Sequence, residues 1–307
     1  MRVVTASKQQ NVGVICALGA YAFWGLVPIY FKSVGHVSSL EILSHRVIWS
    51  VPLTALLITL ANDWHGLRKS LSLKGVWRTL SVTALLVTTN WLVFIYAVNT
   101  GRLLQASLGY YINPLVNVLL GVLFLKERLR PLQVVAVLLA TAGTANITIQ
   151  YGRFPWIALV LAFSFGTYGL LRKTVRIEAV NGLFVETALV CPIALAYLIH
   201  LETTGTLAFG TVDTKTTVLL FLAGAVTTFP LVWFTMASRR LRYSTMGLLQ
   251  YLAPSLMFLL AVFRYGEPFT LANYITFGCI WTGLAIYVFD SFNRNASGAG
   301  KETLVKK

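Results

Sequence analysis

The sequence predicts an all-α integral membrane protein of ten transmembrane helices, arranged as two inverted five-helix repeats. Three observations predict it. Apolar runs of membrane-spanning length recur down almost the whole chain, basic residues alternate in density between successive connections, and first-half motifs return in the second half at nearly one offset.

The composition supports the first observation. Of 307 residues, 57% are apolar and 11% charged, and mean hydropathy is +0.73. A soluble domain carries about a quarter charged residues, and each hydrocarbon crossing takes about 20 apolar ones. The runs fall at 12–31, 40–60, 77–98, 103–125, 131–149, 153–171, 181–200, 216–237, 243–264 and 270–289. The first follows a polar start, 1–11, holding Arg2 and Lys8. It is longer than a secretory signal's apolar core and lacks a cleavage site, so it reads as a retained span. The connections are too short for folded extramembrane domains. The tail 291–307 is polar, with Gly298, Gly300 and two terminal lysines, and is expected to be disordered and cytoplasmic.

The formal charge of +15 raises the question of nucleic acid. The basic residues lie between apolar runs, not on one amphipathic face, and this placement excludes nucleic acid as partner. With the N-terminus inside, 19 of the 25 Lys and Arg fall on inside segments, five (Lys32, Arg102, Arg153, Lys215, Arg264) outside and one, Arg46, within a span. The positive-inside rule then predicts both termini cytoplasmic and an even number of helices. Cys16, Cys191 and Cys279 lie far apart in apolar runs and read as small buried side chains.

The repeat gives the architecture. Pro114 and Glu127 are 13 residues apart, as are Pro254 and Glu267; Gly143 follows Pro114 by 29 residues, as Gly283 follows Pro254. Tyr111 and Tyr251, and Pro52 and Pro192, match at an offset of 140, and Thr88-Thr89 matches Thr227-Thr228 at 139. Each unit, 12–149 and 150–290, holds five spans, an odd number, so the second enters the membrane from the opposite side. Inverted repeats of this kind are typical of secondary transporters, whose substrate sites lie near the midplane between the halves.

The stretch Tyr110-Tyr111-Ile112-Asn113-Pro114-Leu115-Val116, continuing to Leu125-Lys126-Glu127-Arg128-Leu129, resembles the signature of the EamA domain of the drug/metabolite transporter superfamily. Tyr21-Ala22-Phe23-Trp24-Gly25, Ser44-His45-Arg46 and Asn90-Trp91 resemble more narrowly the RarD branch of chloramphenicol-sensitivity proteins. The second copy departs from the motif, with Ala253 in place of the Asn before Pro. The resemblance spans about residues 10–290 and implies a multi-pass permease of the bacterial inner (plasma) membrane with a central cavity. Its partners would be a small metabolite, amino acid or drug, and membrane lipid, with no oligomeric state specified.

Ionisable groups within spans are candidate functional sites because hydrocarbon makes them costly. Arg46 and Glu186 stand at equivalent repeat positions, each about six residues into its helix. The inversion places them at different depths, which argues against a mutual ion pair. Arg46 either braces or snorkels or meets an anionic substrate group. Glu186 is a candidate proton-exchange group, with a structural hydrogen bond as the alternative. His45 could relay protons or serve as a buried structural group, with Glu41 one turn earlier orienting it. Trp24, Trp91, Tyr110, Tyr111, Trp233 and Tyr251 are candidate aromatic walls, and Asn90, Asn113 and Gln250 carry amides that need partners or water. Pro28, Pro114, Pro230 and Pro254 lie within spans, where each frees a backbone carbonyl and suits a hinge. Ala158, Ala162 and Gly166 form a small-residue seam for close helix packing.

No catalytic cluster, metal-ligand spacing, phosphate-binding glycine loop or cofactor motif is present in the sequence. The alternatives to a carrier are a channel-like or facilitative pore and, more remotely, a membrane-embedded enzyme. If Glu186 is accessible, proton coupling follows; if it is buried and static, exchange driven by the substrate gradient is simpler.

Overall fold

The computed structural model describes residues 2–100, 102–151 and 156–264, together with separate stretches inside 271–290. All the regular structure among them is helical: α1 Arg2–Ser33, α2 Ser39–Leu60, α3 Trp64–Leu71, α4 Val76–Asn99, α5 Leu103–Leu125, α6 Pro131–Tyr151, α7 Trp156–Thr174, α8 Ala179–Thr203, α9 Thr214–Arg240, α10 Tyr243–Leu249 and α11 Leu252–Leu259, followed by a π-helical turn, Leu260–Arg264. Six helices among the described residues are long and apolar enough to cross a membrane: Gln9–Ser33, Ser39–Leu60, Val76–Ala97, Pro131–Gln150, Ala179–Thr203 and Thr214–Arg240. Their outward faces carry large apolar side chains such as Leu85 and Ile193, 68% and 74% exposed. In water such a surface would aggregate; against lipid it is the expected solvent boundary.

Interior packing begins with small residues. A Cβ on Gly224 would lie 2.5 Å from the Trp49 carbonyl carbon, and one on Gly247 2.6 Å from Pro114 O. Glycine therefore lets α9 press against the α2 backbone and α10 against α5. The sixth predicted span's seam works the same way: Ala158 and Ala162 are fully buried in α7, and a Cβ on Gly166 would meet Val116 at 2.8 Å. The main core is formed by α1, α2, α4, α5, α7 and α9, with α1 packed on α9 and α11, α7 on α5 and α4, and α2 on α8 and α9.

One contact is reciprocal in the numbering of the repeat. A Cβ on Gly143 would lie 2.9 Å from Thr276 O, and one on Gly283 2.8 Å from Ala136 O. Both glycines and both carbonyl residues are separated by 140 positions. Tyr251, 140 residues after Tyr111, donates its hydroxyl to Tyr111 O at 3.2 Å.

The structure departs from the sequence expectation at three places. First, α1 begins at Arg2 instead of at 12, because nothing between Arg2 and Val12 breaks a helix. Second, the connection at 61–76 holds a short amphipathic helix, α3, anchored by buried Leu67 against Ile58 and Leu80. Third, the ninth span, expected as one helix over 243–264, is interrupted at Gln250–Tyr251. Proline at 254 has no N–H for the Gln250 carbonyl, and Ala253 N donates there instead at 3.1 Å, tightening the chain by one residue. Pro254 consequently sits in the first turn of α11, where its missing donor costs nothing, and not inside a continuous span. The tenth span is only partly described, and Glu267 and the tail 291–307 lie outside the described residues.

Candidate functional site

Six helices and the α10–α11 break enclose a small cavity of about 60 Å³. Residues of the first predicted repeat (Tyr21, Trp24, Arg46, Asn90, Trp91, Tyr110, Asn113) face residues of the second (Leu161, Phe165, Val226, Gln250, Ala253) across it. Seven residues singled out in the sequence therefore come together here: Trp24, Arg46, Asn90, Trp91, Tyr110, Asn113 and Gln250.

Arg46 supplies the cavity's charge. It is 7% exposed and lies seven residues inside the start of α2, roughly 10 Å along the helix axis. Its Nε donates to Thr227 Oγ1 on α9 at 2.9 Å. The guanidinium lies 4.6 Å from the Trp91 ring centroid and 5.5 Å from that of Phe31, close enough for cation–π attraction. No ion pair joins Arg46 to a carboxylate among the described residues. Arg46 is a buried cation held by ring faces and one hydroxyl.

The amides divide. Asn90 Nδ2 donates to Leu161 O and Ser164 Oγ, both at 2.9 Å, and so ties α4 to α7. Gln250 Oε1 accepts from Asn117 Nδ2 at 2.7 Å, which fixes the α10–α11 break against α5. Asn113 is 3% exposed, and its Oδ1 accepts no hydrogen bond, a costly condition for a buried acceptor. The prolines add to it. Each lacks the N–H for the carbonyl four residues earlier, which belongs to Trp24 for Pro28, Tyr110 for Pro114, Val226 for Pro230 and Gln250 for Pro254. All four of those residues line the cavity. The aromatic wall is tight, with Trp24 edge-on to Phe165 at 5.4 Å and Phe94 edge-on to Tyr110 at 5.6 Å.

The remaining candidates lie elsewhere. Tyr111 and Tyr251 belong to a separate apolar cluster with Ala136, Ala140 and Ile280, and Trp233 is 37% exposed on the outside of α9. His45 faces the 204–213 connection, stacked on Phe209 at 4.8 Å. Trp49 Nε1 donates to its Nδ1 at 3.2 Å, so Nδ1 is bare and the proton belongs to Nε2, 3.9 Å from Glu41 Oε1. Glu41 does more than orient this ring: the same oxygen accepts from the backbone N–H of Ala208 at 2.7 Å and of Phe209 at 3.2 Å, latching the connection to α2.

Glu186 forms a second buried charge cluster among α4, α7 and α8. Its Oε1 lies 3.6 Å from Arg172 Nε, both side chains fully buried, and accepts from Thr83 Oγ1 at 2.6 Å; Oε2 accepts from Tyr168 Oη at 3.3 Å. Arg172 was expected at the mouth of an inside connection. The α7 helix instead continues to Thr174 and carries the guanidinium inward, where Nη2 donates to Ala179 O at 2.9 Å. Only the absence of a side chain at Gly182 makes room, since a Cβ there would lie 1.7 Å from Arg172 Nη1. Sequence reasoning missed this partner because an arginine beside Lys173 at a span end reads as topology.

A larger cleft of about 460 Å³ opens between the ends of α2, α8 and α9. Its charges lie toward the surface: Arg239 is 3.3 Å from Glu178, exposed Arg240 donates to Gln9 at 2.9 Å, and Asn181 donates to Asp63 at 2.7 Å. Arg46's unneutralised charge makes the smaller cavity the candidate site.

Membrane-length helices around a largely aromatic cavity that holds one buried charge point to the class, a multi-span membrane transport protein. The comparisons give the family. Residues 11–149 match the EamA-like transporter family. The chain is 51% identical over 278 residues to a Vibrio cholerae protein described as an uncharacterized transporter, covering 91% of this chain and 92% of that protein. It is 46% identical over 285 residues to Protein RarD of Escherichia coli, covering 93% and 96%. It is 32% identical over 283 residues to the chloramphenicol-sensitive protein RarD of Pseudomonas aeruginosa, covering 91% and 94%. A solved crystal structure at 21% identity, covering 91% of this chain and 97% of its own, shares the fold with a TM-score of 0.67. The chain belongs to the EamA-like transporter family, among relatives named RarD. It is a transporter and not an enzyme, and its bacterial relatives place it in the inner membrane.

Proposed function

We propose that the chain is a secondary carrier of ten spanning helices in two inverted repeats, 12–149 and 150–290, with both termini cytoplasmic. It moves a small metabolite, amino acid or drug by alternating access around the cavity at Arg46. The observation that carries this reading is the cavity itself: walls from both proposed repeats and, among the described residues, one buried cation without a carboxylate and one buried amide oxygen without a donor. The reciprocal Gly143 and Gly283 contacts support the inverted repeat. A volume of about 60 Å³ has room for a few water molecules, so admitting a solute calls for the helices to part, which favours a carrier over an open pore.

Glu186 is buried against Arg172, and it is not among the cavity-lining residues. This supports exchange driven by the substrate's own gradient over proton coupling. The test is counterflow in proteoliposomes with neutral amino acids, small metabolites and chloramphenicol, the last because a relative is named for sensitivity to it. Saturable accumulation that requires trans substrate is expected, with the same pH dependence in wild type and Glu186→Gln. Flux that grows linearly with concentration would replace the carrier by a pore, and pH dependence lost only in Glu186→Gln would restore the proton role.

A further inference from the structure

Two poles of opposite hydrogen-bonding character face this one cavity. Arg46 has five N–H donors in a fixed fork, and Thr227 takes only the one on Nε. The described residues give its η nitrogens no carboxylate; the ring faces of Trp91 and Phe31 lie over the guanidinium, and Tyr30 and Tyr110 are near it. Cation–π contact of this kind is worth much less than the desolvation of a buried guanidinium. The site lacks an anion. The acceptor pole is Asn113 Oδ1, buried and without a donor among the described residues, together with the cavity-lining Trp24, Tyr110 and Val226, whose carbonyls lose a helical donor to proline four positions on. Here the site lacks an N–H or O–H donor.

We propose that the cavity binds a small carboxylate that also carries a hydrogen-bond donor, the carboxylate on Arg46 and the donor on Asn113. This rests on the reading of the cavity as the carrier's substrate site, and it adds the substrate's chemical class. A cationic ligand is excluded by the same geometry, because in a low-dielectric enclosure the Arg46 charge repels it strongly. A purely bracing role for Arg46 would need Nε and Thr227 alone; the fork that remains is the part a carboxylate matches in bidentate fashion.

The test is isothermal titration calorimetry of the purified full-length protein in detergent, with 3-phenyllactate, its primary amide and its 2-O-methyl ether as probes. The carboxylate is expected to bind about 10-fold or more tightly than the amide, and about 10-fold more tightly than the ether, as loss of one charge-assisted or one buried hydrogen bond implies. Arg46→Gln is expected to bring the carboxylate down to the affinity of the amide. Thr227→Ala removes the brace but keeps the cation, and is expected to preserve the preference. An amide or ether that binds as tightly as 3-phenyllactate overturns the proposal, as does the absence of saturable heat with 3-phenyllactate. Loss of the preference in Thr227→Ala to the same degree as in Arg46→Gln would reduce Arg46 to a brace and overturn it as well. Counterflow of solutes with no preference for carboxylates would leave the carrier standing and remove only this assignment.

Discussion

Gly182→Ala sets two physical effects of opposite sign against each other. In the interior of a helix, alanine is favoured over glycine by about 1 kcal/mol, so intrinsic propensity alone predicts stabilisation. The structure predicts the reverse. The new Cβ would lie 1.7 Å from Arg172 Nη1 and 2.5 Å from Cζ. Arginine is flexible, so the clash is relieved by moving the guanidinium and not the helices. That movement separates Arg172 from Glu186 and from Ala179 O, leaving a fully buried carboxylate with only Thr83 and Tyr168. Breaking one side of a buried ion pair costs about 3–5 kcal/mol, so the net loss is roughly 2–4 kcal/mol. At about 2–4 °C per kcal/mol, this is a fall on the order of 10 °C in the midpoint for loss of the monodisperse size-exclusion peak after heating in detergent. A midpoint equal to or above wild type would refute the reasoning. The same substitution in an Arg172→Met/Glu186→Gln background, where no ion pair remains to break, is expected to be neutral or mildly stabilising. A fall as large there would show that the added methyl group strikes the helix packing itself and not the guanidinium.

Three further outcomes follow from close contacts. Gly224→Ala brings a Cβ to 2.5 Å from the Trp49 backbone carbon, so α2 must leave α9; the melting midpoint should fall, and carboxylate affinity should fall with it as α2 carries Arg46 away from the cavity's other walls. Glu41→Ala strips one buried and one half-buried N–H group of their acceptor, at about 1–3 kcal/mol for the buried one, whereas Glu41→Gln keeps an acceptor oxygen; hydrogen exchange at Ala208 and Phe209 should accelerate strongly in the first and slightly in the second. Pro254→Ala returns a donor to the Gln250 carbonyl, so α10 and α11 should join into one helix. Counterflow should then slow several-fold while the melting midpoint holds or rises, and an unchanged rate would show that the interruption has no part in transport.

The helical fold was legible in the sequence because hydrocarbon leaves the chain few choices. With no water to satisfy backbone groups, an apolar run of about 20 residues must be helical, and run lengths alone locate α2, α4, α5, α6, α8 and α9 to within a few residues. The interruption at Gln250–Tyr251 was less legible. Pro254 was visible, but proline is compatible with a kinked continuous helix, and only the Ala253-to-Gln250 hydrogen bond distinguishes a break. The same ambiguity covers α3: its few apolar residues, with Leu67 buried and Arg68 and Lys69 beside it, read as a charged connection.

The site was legible in part, and the division has a physical reason. Residues such as Arg46, Trp91 and Asn113 could be singled out because each is expensive or bulky inside an apolar span, whatever it touches. Partners could not be. Which face of a helix meets the cavity depends on neighbours far away in the chain: Tyr110 lines the cavity while Tyr111, one residue on and about 100° around the helix, joins the apolar cluster with Tyr251. Arg46 and Glu186 illustrate the point further. The proposed repeat gives them equivalent positions, and each bonds a threonine on a neighbouring helix, Arg46 on α2 with Thr227 on α9 and Glu186 on α8 with Thr83 on α4. The duplicated frame thus holds two chemically opposite ends. Glu186 has a counter-ion in Arg172, and Arg46 has none among the described residues. A duplicated structural brace would tolerate neutral residues at both positions, so under the proposed function the charge at Arg46 is where the two proposed repeats diverge, and the missing counter-charge is one that a solute can supply.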